Sequence, residues 1–269
     1  LLIQQRLLEK FDGELYDAVA AERDGMYVLD LGSANGSFAM SRFGGRKNLG
    51  FFLGIEFNGE AVDSANAVYG NDHIVFEQCD LEGEEVENVI KKACEKYSID
   101  GFNVVNISML ILHLKNPVRL LKRIRKFVKS GATIVVKDID DGLNLAYPDH
   151  EGNFEYAIQL CSKNPLAGFR ASGRQIPYFL RKSGYRDINL VRAGLNTLEM
   201  DFDEREALFH IYFSFIYGDF ATLAQQSPDN TLYCESAEWM KKHYEELADE
   251  FMSDDFFFSL GFMLYTAKK

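Results

Sequence analysis

Val28-Leu29-Asp30-Leu31-Gly32-Ser33-Ala34-Asn35-Gly36-Ser37-Phe38 decides the fold of this 269-residue chain. An apolar run ends in an acid, turns through small residues and continues with helical spacing, which is the pattern of a buried parallel strand feeding a helix. Small residues at such a turn let the backbone come close to a neighbour or a ligand. Working outward, apolar runs at 27–31, 51–56, 74–79, 101–107 and 133–138 alternate with amphipathic stretches near 3–22, 36–43, 59–69, 83–97 and 116–129. That alternation predicts βαβ units and a parallel sheet, with Gly131 placed as the stop of the fifth helix.

Beyond Asp138 the rhythm changes. The stretch DIDDGLNLAYPDHEGNF reads as loop, an amphipathic stretch follows near 153–162, and SGRQIPYFLRKSGY reads as a helix stopped at Gly184, before a sixth strand at 186–193. Two aromatic-rich helical stretches then occupy 200–250, and the alternating run FFFSLGFMLYTA returns to strand character. The expectation is an α/β fold: a doubly wound, mostly parallel seven-stranded sheet whose last strand is antiparallel. The core would be 1–199 with 251–269, and 200–250 a helical insertion packed over an edge or over the mouth of a site at the strand ends.

A net charge of −12 disfavours a polyanionic partner, because nucleic-acid affinity rests on clustered Lys and Arg neutralising phosphates. The one basic stretch, KNPVRLLKRIRKFVK from Lys115 to Lys129, shares its periodicity with Leu120, Leu121, Ile124 and Val128, as a surface helix covering a sheet does. No uninterrupted apolar window of membrane-span length is present, and the N-terminal stretch lacks a signal-peptide pattern. Cys79, Cys94, Cys161 and Cys234 are scattered without a CxxC pair, which suits reduced cytosolic thiols and neither a disulfide framework nor a structural metal. The expectation is therefore a cytoplasmic protein with no nucleic-acid or membrane partner; its oligomeric state is open. The sequence begins at Leu1, which leaves open that it continues a longer protein.

Three strand ends carry the chemistry. Asp30 closes the first strand, Glu56 the second (Gly54-Ile55-Glu56), and Asp80 the third (Phe76-Glu77-Gln78-Cys79-Asp80-Leu81). An acid at the end of the second strand is where a ribose diol finds paired acceptors, and one at the third can accept from an adenine amino group. Taken singly, each could equally be a helix cap or a solvated loop acid. In register they describe an adenosine-shaped site. A dinucleotide-binding oxidoreductase is the competing reading, but Gly32, Ala34 and Gly36 lack the third glycine of GxGxxG at its expected place. Asp30 would also repel a diphosphate, whereas it would attract a cationic ligand.

On these residues the chain resembles the class I S-adenosylmethionine-dependent methyltransferases, and the likeness runs through most of its length. The resemblance implies a Rossmann-like methyltransferase fold and S-adenosyl-L-methionine as cofactor. Asp30, Gly32, Ser33, Ala34 and Gly36 would form the glycine-rich site for its amino-acid end. Glu56 with Phe57 would take the ribose, and Asp80 with Leu81 would lie near the adenine. SMLILHLKNPVRLLKRIRKFVKSGATIVVKD is similar to the fourth-strand to fifth-strand segment of small-molecule methyltransferases, which implies Asn106, Ile107 and Ser108 beside the sulfonium. Ala34 departs from the family, standing where many members have the middle glycine of GxGxG.

Methyl transfer asks the protein mainly to hold a nucleophile in line with the donor methyl. A hydroxyl or ammonium acceptor also needs a base, for which His113, just past the fourth strand, is the candidate; packing at the start of a helix is its alternative. Asp138, Asp140 and Asp141 at the end of the fifth strand, with Tyr147, Asp149 and His150 beyond, could orient or attract an acceptor, hold a divalent metal, or serve as turn and cap residues. Asp138 is the catalytic candidate among them, and no metal is expected. Phe209, Tyr212, Phe213, Phe215, Phe220, Trp239 and Tyr244 fall at spacings that bury one helical face, as core or as pocket wall. Arg174 could meet an anionic group or a helix-terminal partner. The functional expectation is O- or N-methylation of a small-molecule acceptor. A nicotinamide-dependent oxidoreductase, or a non-catalytic cofactor-binding regulatory domain of a longer protein, is the alternative.

Overall fold

The computed structural model describes residues 2–269, with side chains from Leu7 onward. In chain order the elements are α1 (Leu2–Ala21), β1 (Met26–Leu31), α2 (Ser37–Phe43), β2 (Leu49–Glu56), α3 (Gly59–Tyr69), β3 (Ile74–Gln78), α4 (Val86–Lys96), β4 (Phe102–Ser108), α5 (Pro117–Ile124) and β5 (Val128–Ile139). There follow β6 (Leu145–Tyr147), α6 (Asn153–Lys163), α7 (Ile176–Lys182), β7 (Arg186–Asn196), α8 (Phe202–Phe209), α9 (Phe215–Gln226), α10 (Thr231–Phe251) and β8 (Phe257–Lys268).

The strands form an eight-stranded sheet of order β3-β2-β1-β4-β5-β8-β6, with β7 paired to β8. All pairs from β3 to β5 are parallel. The last strand runs against them: Gly131 bonds to Lys269 and Asp140 to Gly261, so advancing along β5 means retreating along β8. Eight strands replace the expected seven. The extra one is β6, three residues paired antiparallel to Phe257–Ser259 inside the stretch read as loop. A strand that short between polar turns carries no periodicity to read.

The second departure is β5, which starts at Val128. The helix before it ends at Ile124, short of the expected 129, and a tight turn at Arg125–Phe127 intervenes. Phe102 pairs with Val128 and Val104 with Thr133, so four residues of β5 bulge opposite Asn103. Gly131 sits in that bulge at φ 74°, supplying a left-handed bend in a strand and not a helix stop. The α5 start follows its sequence: Pro117 occupies the first turn, and Asn116 caps it by accepting from Arg119 N at 3.0 Å. Its basic face pairs with Glu84 and Glu87.

Two compact units divide the chain, one of Asp12–Asp138, Ser172–Ala193 and Met263–Lys269, the other of Leu1–Phe11, Ile139–Ala171 and Gly194–Phe262. In the first, alternate residues of the strands face opposite ways. Leu29, Leu31, Val105, Ile107, Ile134 and Val136 point into a wholly apolar layer with Ile90, Leu120, Leu121, Ile124 and Leu180 of α4, α5 and α7. Val28, Asp30, Val104, Asn106, Val135 and Lys137 take the opposite parity, and α1 and α2 bring Asp12, Tyr16 and Arg42 to them.

The second unit is built on aromatic rings. Phe154 lies 4.4 Å from Phe256 between centroids, Phe209 stacks on Phe213 at 5.1 Å, and Phe213 meets Phe258 at 5.6 Å. The 200–250 segment lies in this unit as three helices, α8 and α9 being joined by a wide π-type turn at His210–Ser214. Asp201 and Glu204 close a reciprocal capping box at the start of α8. The continuous helical run Phe202–Gln226 is long and apolar enough to cross a membrane by length and composition. Its Leu208, Phe209, Phe213, Ile216 and Phe220 are spent on this unit's interior, as in the core helix of a globular protein.

Candidate cofactor site

The turn after β1 is drawn tight against β2. Gly32 N and Ser33 N both donate to Ile55 O, at 2.8 and 3.1 Å, and Gly36 N donates to Ser33 O at 2.9 Å. Three residues of the turn have left-handed backbone: Gly32 at φ 74°, Ala34 at 46° and Gly36 at 75°. Two glycines are demanded by space as well. A Cβ on Gly36 would lie 2.7 Å from the Phe76 ring, and one on Gly54 would lie 2.5 Å from that ring and 2.9 Å from Ser33 Oγ. Ala34 fills the remaining left-handed position at some strain.

Glu56, at the end of β2, clamps this turn. Its Oε2 accepts from Ala34 N at 2.9 Å and its Oε1 from Asn58 N at 3.0 Å. One lone pair on each oxygen is left by these bonds, a pair of acceptors spaced for a vicinal diol. Phe57, the next residue, is 70% exposed. Asp80 is exposed past the end of β3, with Oδ1 accepting from Glu82 N at 2.9 Å, and Leu81 beside it is buried. Ser33 Oγ is buried with no hydrogen-bond partner.

Asp30 is buried among polar groups. Its Oδ1 accepts from Asn106 Nδ2 at 2.6 Å, and Asn106 Oδ1 in turn accepts from the Tyr16 hydroxyl at 2.6 Å. Burial pushes the Asp30 carboxyl up to about 7; the Asn106 N–H pulls against that, and the charge of Glu56 adds to it. Asn106 and Ile107 are buried in β4 and Ser108 is half-buried at its end. The chain then kinks at Met109, φ 53°, and a short helical turn runs Ile111–His113. Leu110 on this segment packs so closely on the glycine turn that a Cβ on Gly32 would meet its Cδ1 at 3.1 Å.

His113 is exposed, its backbone N–H tied to Leu110 O at 2.9 Å. Asp138 is fully buried, Oδ1 accepting from Ser172 Oγ at 2.8 Å and Oδ2 from Leu112 N at 3.2 Å. The other acids of the 138–141 cluster are equally occupied within their own unit. Asp140 Oδ1 accepts from Gly142 N, and Asp141 makes a two-point ion pair with Arg170 at 2.8 and 3.0 Å. Asp149 caps α6 by accepting from Phe154 N and Glu155 N. Among the described residues no group of three or more His, Cys, Asp or Glu is arranged to hold a metal ion.

The arrangement fits S-adenosylmethionine. The Glu56 oxygens suit the ribose diol, the buried unpartnered Ser33 hydroxyl lies in the turn that would meet the amino-acid end, and Asp30, Glu56 and Asp80 suit a cationic ligand and repel a diphosphate. Sequence reading overlooked four polar partners: Asp12, Tyr16, Arg42 and Lys137. The one available signal was Lys137 itself, a charge inside the apolar run of β5.

Fold and site together define a Rossmann-like α/β protein built to bind an adenosine cofactor with a positive charge. The chain matches the model of a methyltransferase domain family over residues 22–184, more than half its length, and belongs to that family. It is an S-adenosylmethionine-dependent methyltransferase. No curated protein matches it by sequence. Among solved structures it is similar to a provisionally assigned methyltransferase of Bacillus halodurans C-125, at 14% identity over 95% of this chain and 97% of that one, TM-score 0.56. It is also similar to an S-adenosylmethionine-dependent methyltransferase of Mesorhizobium loti, at 13% identity over 96% and 97%, TM-score 0.50. The cyclase SpnF shares the fold at 17% identity over 95% and 80%, TM-score 0.53. At such identities the likeness shows the fold alone, and SpnF illustrates that one fold hosts several chemistries. The family match carries the activity.

Proposed function

We propose that this methyltransferase acts on an oxygen or nitrogen of a small molecule, with His113 as the general base. The observation that carries the small-acceptor reading is charge. The chain has a net charge of −12 and carries Asp30, Glu56 and Asp80 at successive strand ends, which suits a neutral or cationic acceptor and opposes a nucleic acid. When bound, the cofactor supplies a methyl group on a sulfonium, an intrinsically good leaving group.

In this reading Asp30 faces the cofactor's ammonium, Glu56 the ribose hydroxyls and Asp80 the adenine amino group, while Phe57 and Leu81 flank the rings. Asn106, Ile107 and Ser108 border the sulfonium. His113 takes the acceptor's proton from a segment that also touches the glycine turn through Leu110. Asp138 is a positioning residue: from beneath, it holds the Leu112 N–H next to His113 and does not reach the acceptor.

The test is turnover, read as S-adenosylhomocysteine release, against panels of small amines, phenols and carboxylates, with a transfer RNA and a peptide pool alongside. Transfer to a member of the small-molecule panels, with His113→Ala lowering kcat on the order of 10²-fold at unchanged cofactor affinity, is the expected result. Transfer confined to RNA or protein overturns the proposal.

A further inference from the structure

Asp12 and Tyr16 lie one helical turn apart on α1, so their side chains leave the same face. Both enter the polar face of the first unit. Asp12 receives Lys137 Nζ at 2.6 Å and Arg42 Nε at 2.8 Å, an arrangement buried at all three residues. Tyr16 donates to Asn106 Oδ1, and Asn106 Nδ2 donates to Asp30. A carboxamide has one accepting and one donating end. With the Tyr16 hydrogen on the accepting end, only the donating end is left for Asp30.

We propose that Tyr16 is a positioning residue of the cofactor site: by fixing the Asn106 amide it keeps an N–H on Asp30, and so holds that side chain as a carboxylate aimed at the cofactor's ammonium. The proposal rests on the reading of Asp30 as the ammonium's partner. Without the hydroxyl the amide can turn its oxygen to Asp30, which favours a protonated acid that no longer attracts a cation.

The surroundings give the relay something to decide. Asp30 faces Asn106 from β4, Glu56 from β2 and Tyr16 from α1, with Asp12, Arg42 of α2 and Lys137 of β5 behind Tyr16. Glu56 opposes ionisation, and Asp12 is offset by its own two cations. Burial, then the charges of Asp12 and Asp30, hold the Tyr16 phenol well above its ordinary range, so it stays a donor throughout.

The experiment is calorimetric titration of S-adenosylhomocysteine, which keeps the ammonium and cannot turn over, between pH 5.5 and 8.5. It uses wild type, Tyr16→Phe, Asn106→Ser and Asp30→Asn. Wild-type affinity is expected to fall as pH drops through about 7. Tyr16→Phe should raise the midpoint of the acid limb by about half a unit or more, so that it binds about threefold more weakly than wild type at pH 5.5 and converges on wild type towards pH 8.5. A Tyr16→Phe profile that superimposes on wild type overturns the relay. Should that variant not fold, Asn106→Ser carries the same test, since losing the N–H must raise the midpoint and an unmoved midpoint overturns the proposal. If Asp30→Asn keeps both wild-type affinity and the acid limb, the assignment of Asp30 itself is what fails.

Discussion

The two faces of β1, β4 and β5 are made from alternate residues of the same strands and do opposite work. Leu29, Leu31, Val105, Ile107, Ile134 and Val136 face a layer of apolar side chains, while on the other face Asn106 bonds to Asp30 across the strands and α1 answers Asn106 with Tyr16 and Lys137 with Asp12. The apolar face stabilises by area removed from water, at about 25 cal/mol per Å². The polar face gains little net energy from burial, because desolvating charges offsets most of what their pairing returns. What it supplies is aim: a carboxylate held where an unaided loop acid would wander. The difference teaches that one strand can be scaffold on one side and site on the other, and that damage to each should look different.

The largest effect is expected on the polar face. Asp12→Ala strands the Lys137 ammonium and the Arg42 guanidinium in the interior, and should cost about 3–5 kcal/mol in chemical denaturation. If the cost comes from unpaired charge, adding Lys137→Met should recover a good part of it. Burial already lowers the Lys137 pKa against the pull of Asp12, so without Asp12 the ammonium gives up its proton more easily and the cost should shrink as pH rises. On the apolar face, Ile134→Ala removes a fully buried side chain and should cost about 2–4 kcal/mol. Cofactor affinity should stay within about twofold in the variant that folds, because Asp30 and Asn106 lie on the opposite face of the sheet. A matched loss of stability and affinity would break the separation of the two faces.

At the strand ends, Glu56→Ala should weaken S-adenosylmethionine binding by about 10- to 100-fold, losing two charge-assisted acceptors and the clamp on Ala34 N and Asn58 N. Asp30 gives a smaller but signed effect. Its folded pKa is raised to about 7 from the ordinary 3.8, so the folded state holds the proton more tightly than the unfolded chain does. Its contribution to stability is therefore fully present below about pH 4 and is lost as pH climbs towards and through 7, with a slope of at most about 1.4 kcal/mol per pH unit. In the proposed assignment of Asp30 to the cofactor's ammonium, binding runs the other way, since the ammonium needs the carboxylate. The thermal upshift given by S-adenosylhomocysteine should then grow from pH 6 to 8 in wild type and stay flat in Asp30→Asn; parallel slopes would deny Asp30 this role.

How much of this could be read beforehand follows the same division. The apolar face announced itself, because runs such as VVNI and TIVV have a period that only buried strands satisfy, and the acids closing β1, β2 and β3 stood out as the polar ends of those runs. Asp12 and Tyr16 did not, because on a helix mixing charges with apolar residues nothing distinguishes a side chain that turns inward to a strand 90 or more residues away. Lys137, a charge inside an apolar run, has no meaning in the sequence without its partner Asp12. The acids at 138–141 were legible as a cluster and illegible in purpose, since their partners Leu112, Ser172, Arg170 and Gly142 come from turns whose placement depends on the whole fold. The strand β6 and the bulge at Gly131 were missed for a related reason: both are set by pairing to another strand and not by their own residues.

The smallest expected effect is at Ala34, the one residue of the 32–36 turn that takes a left-handed backbone without being glycine. Ala34 lies at φ 46°, a left-handed conformation that costs an L-residue about 1–2 kcal/mol and costs glycine almost nothing. Glycine loses more freedom on folding, by about 0.4–1 kcal/mol, which opposes the gain. Ala34→Gly should therefore be neutral to stabilising by about 1 kcal/mol in chemical denaturation. Its effect on binding separates two uses of the strain. The Ala34 N–H is held on Glu56 Oε2 at 2.9 Å, so a methyl-bearing, less mobile turn would keep Glu56, the proposed ribose acceptor, in one place before the cofactor arrives. If that pre-organisation matters, the stabilised Ala34→Gly protein should bind S-adenosylhomocysteine no more tightly, and up to about threefold more weakly, than wild type. Tighter binding together with greater stability would mean that Ala34 is merely a tolerated substitution, and that the polar side of β1 owes its aim to Asn106 and Glu56 alone.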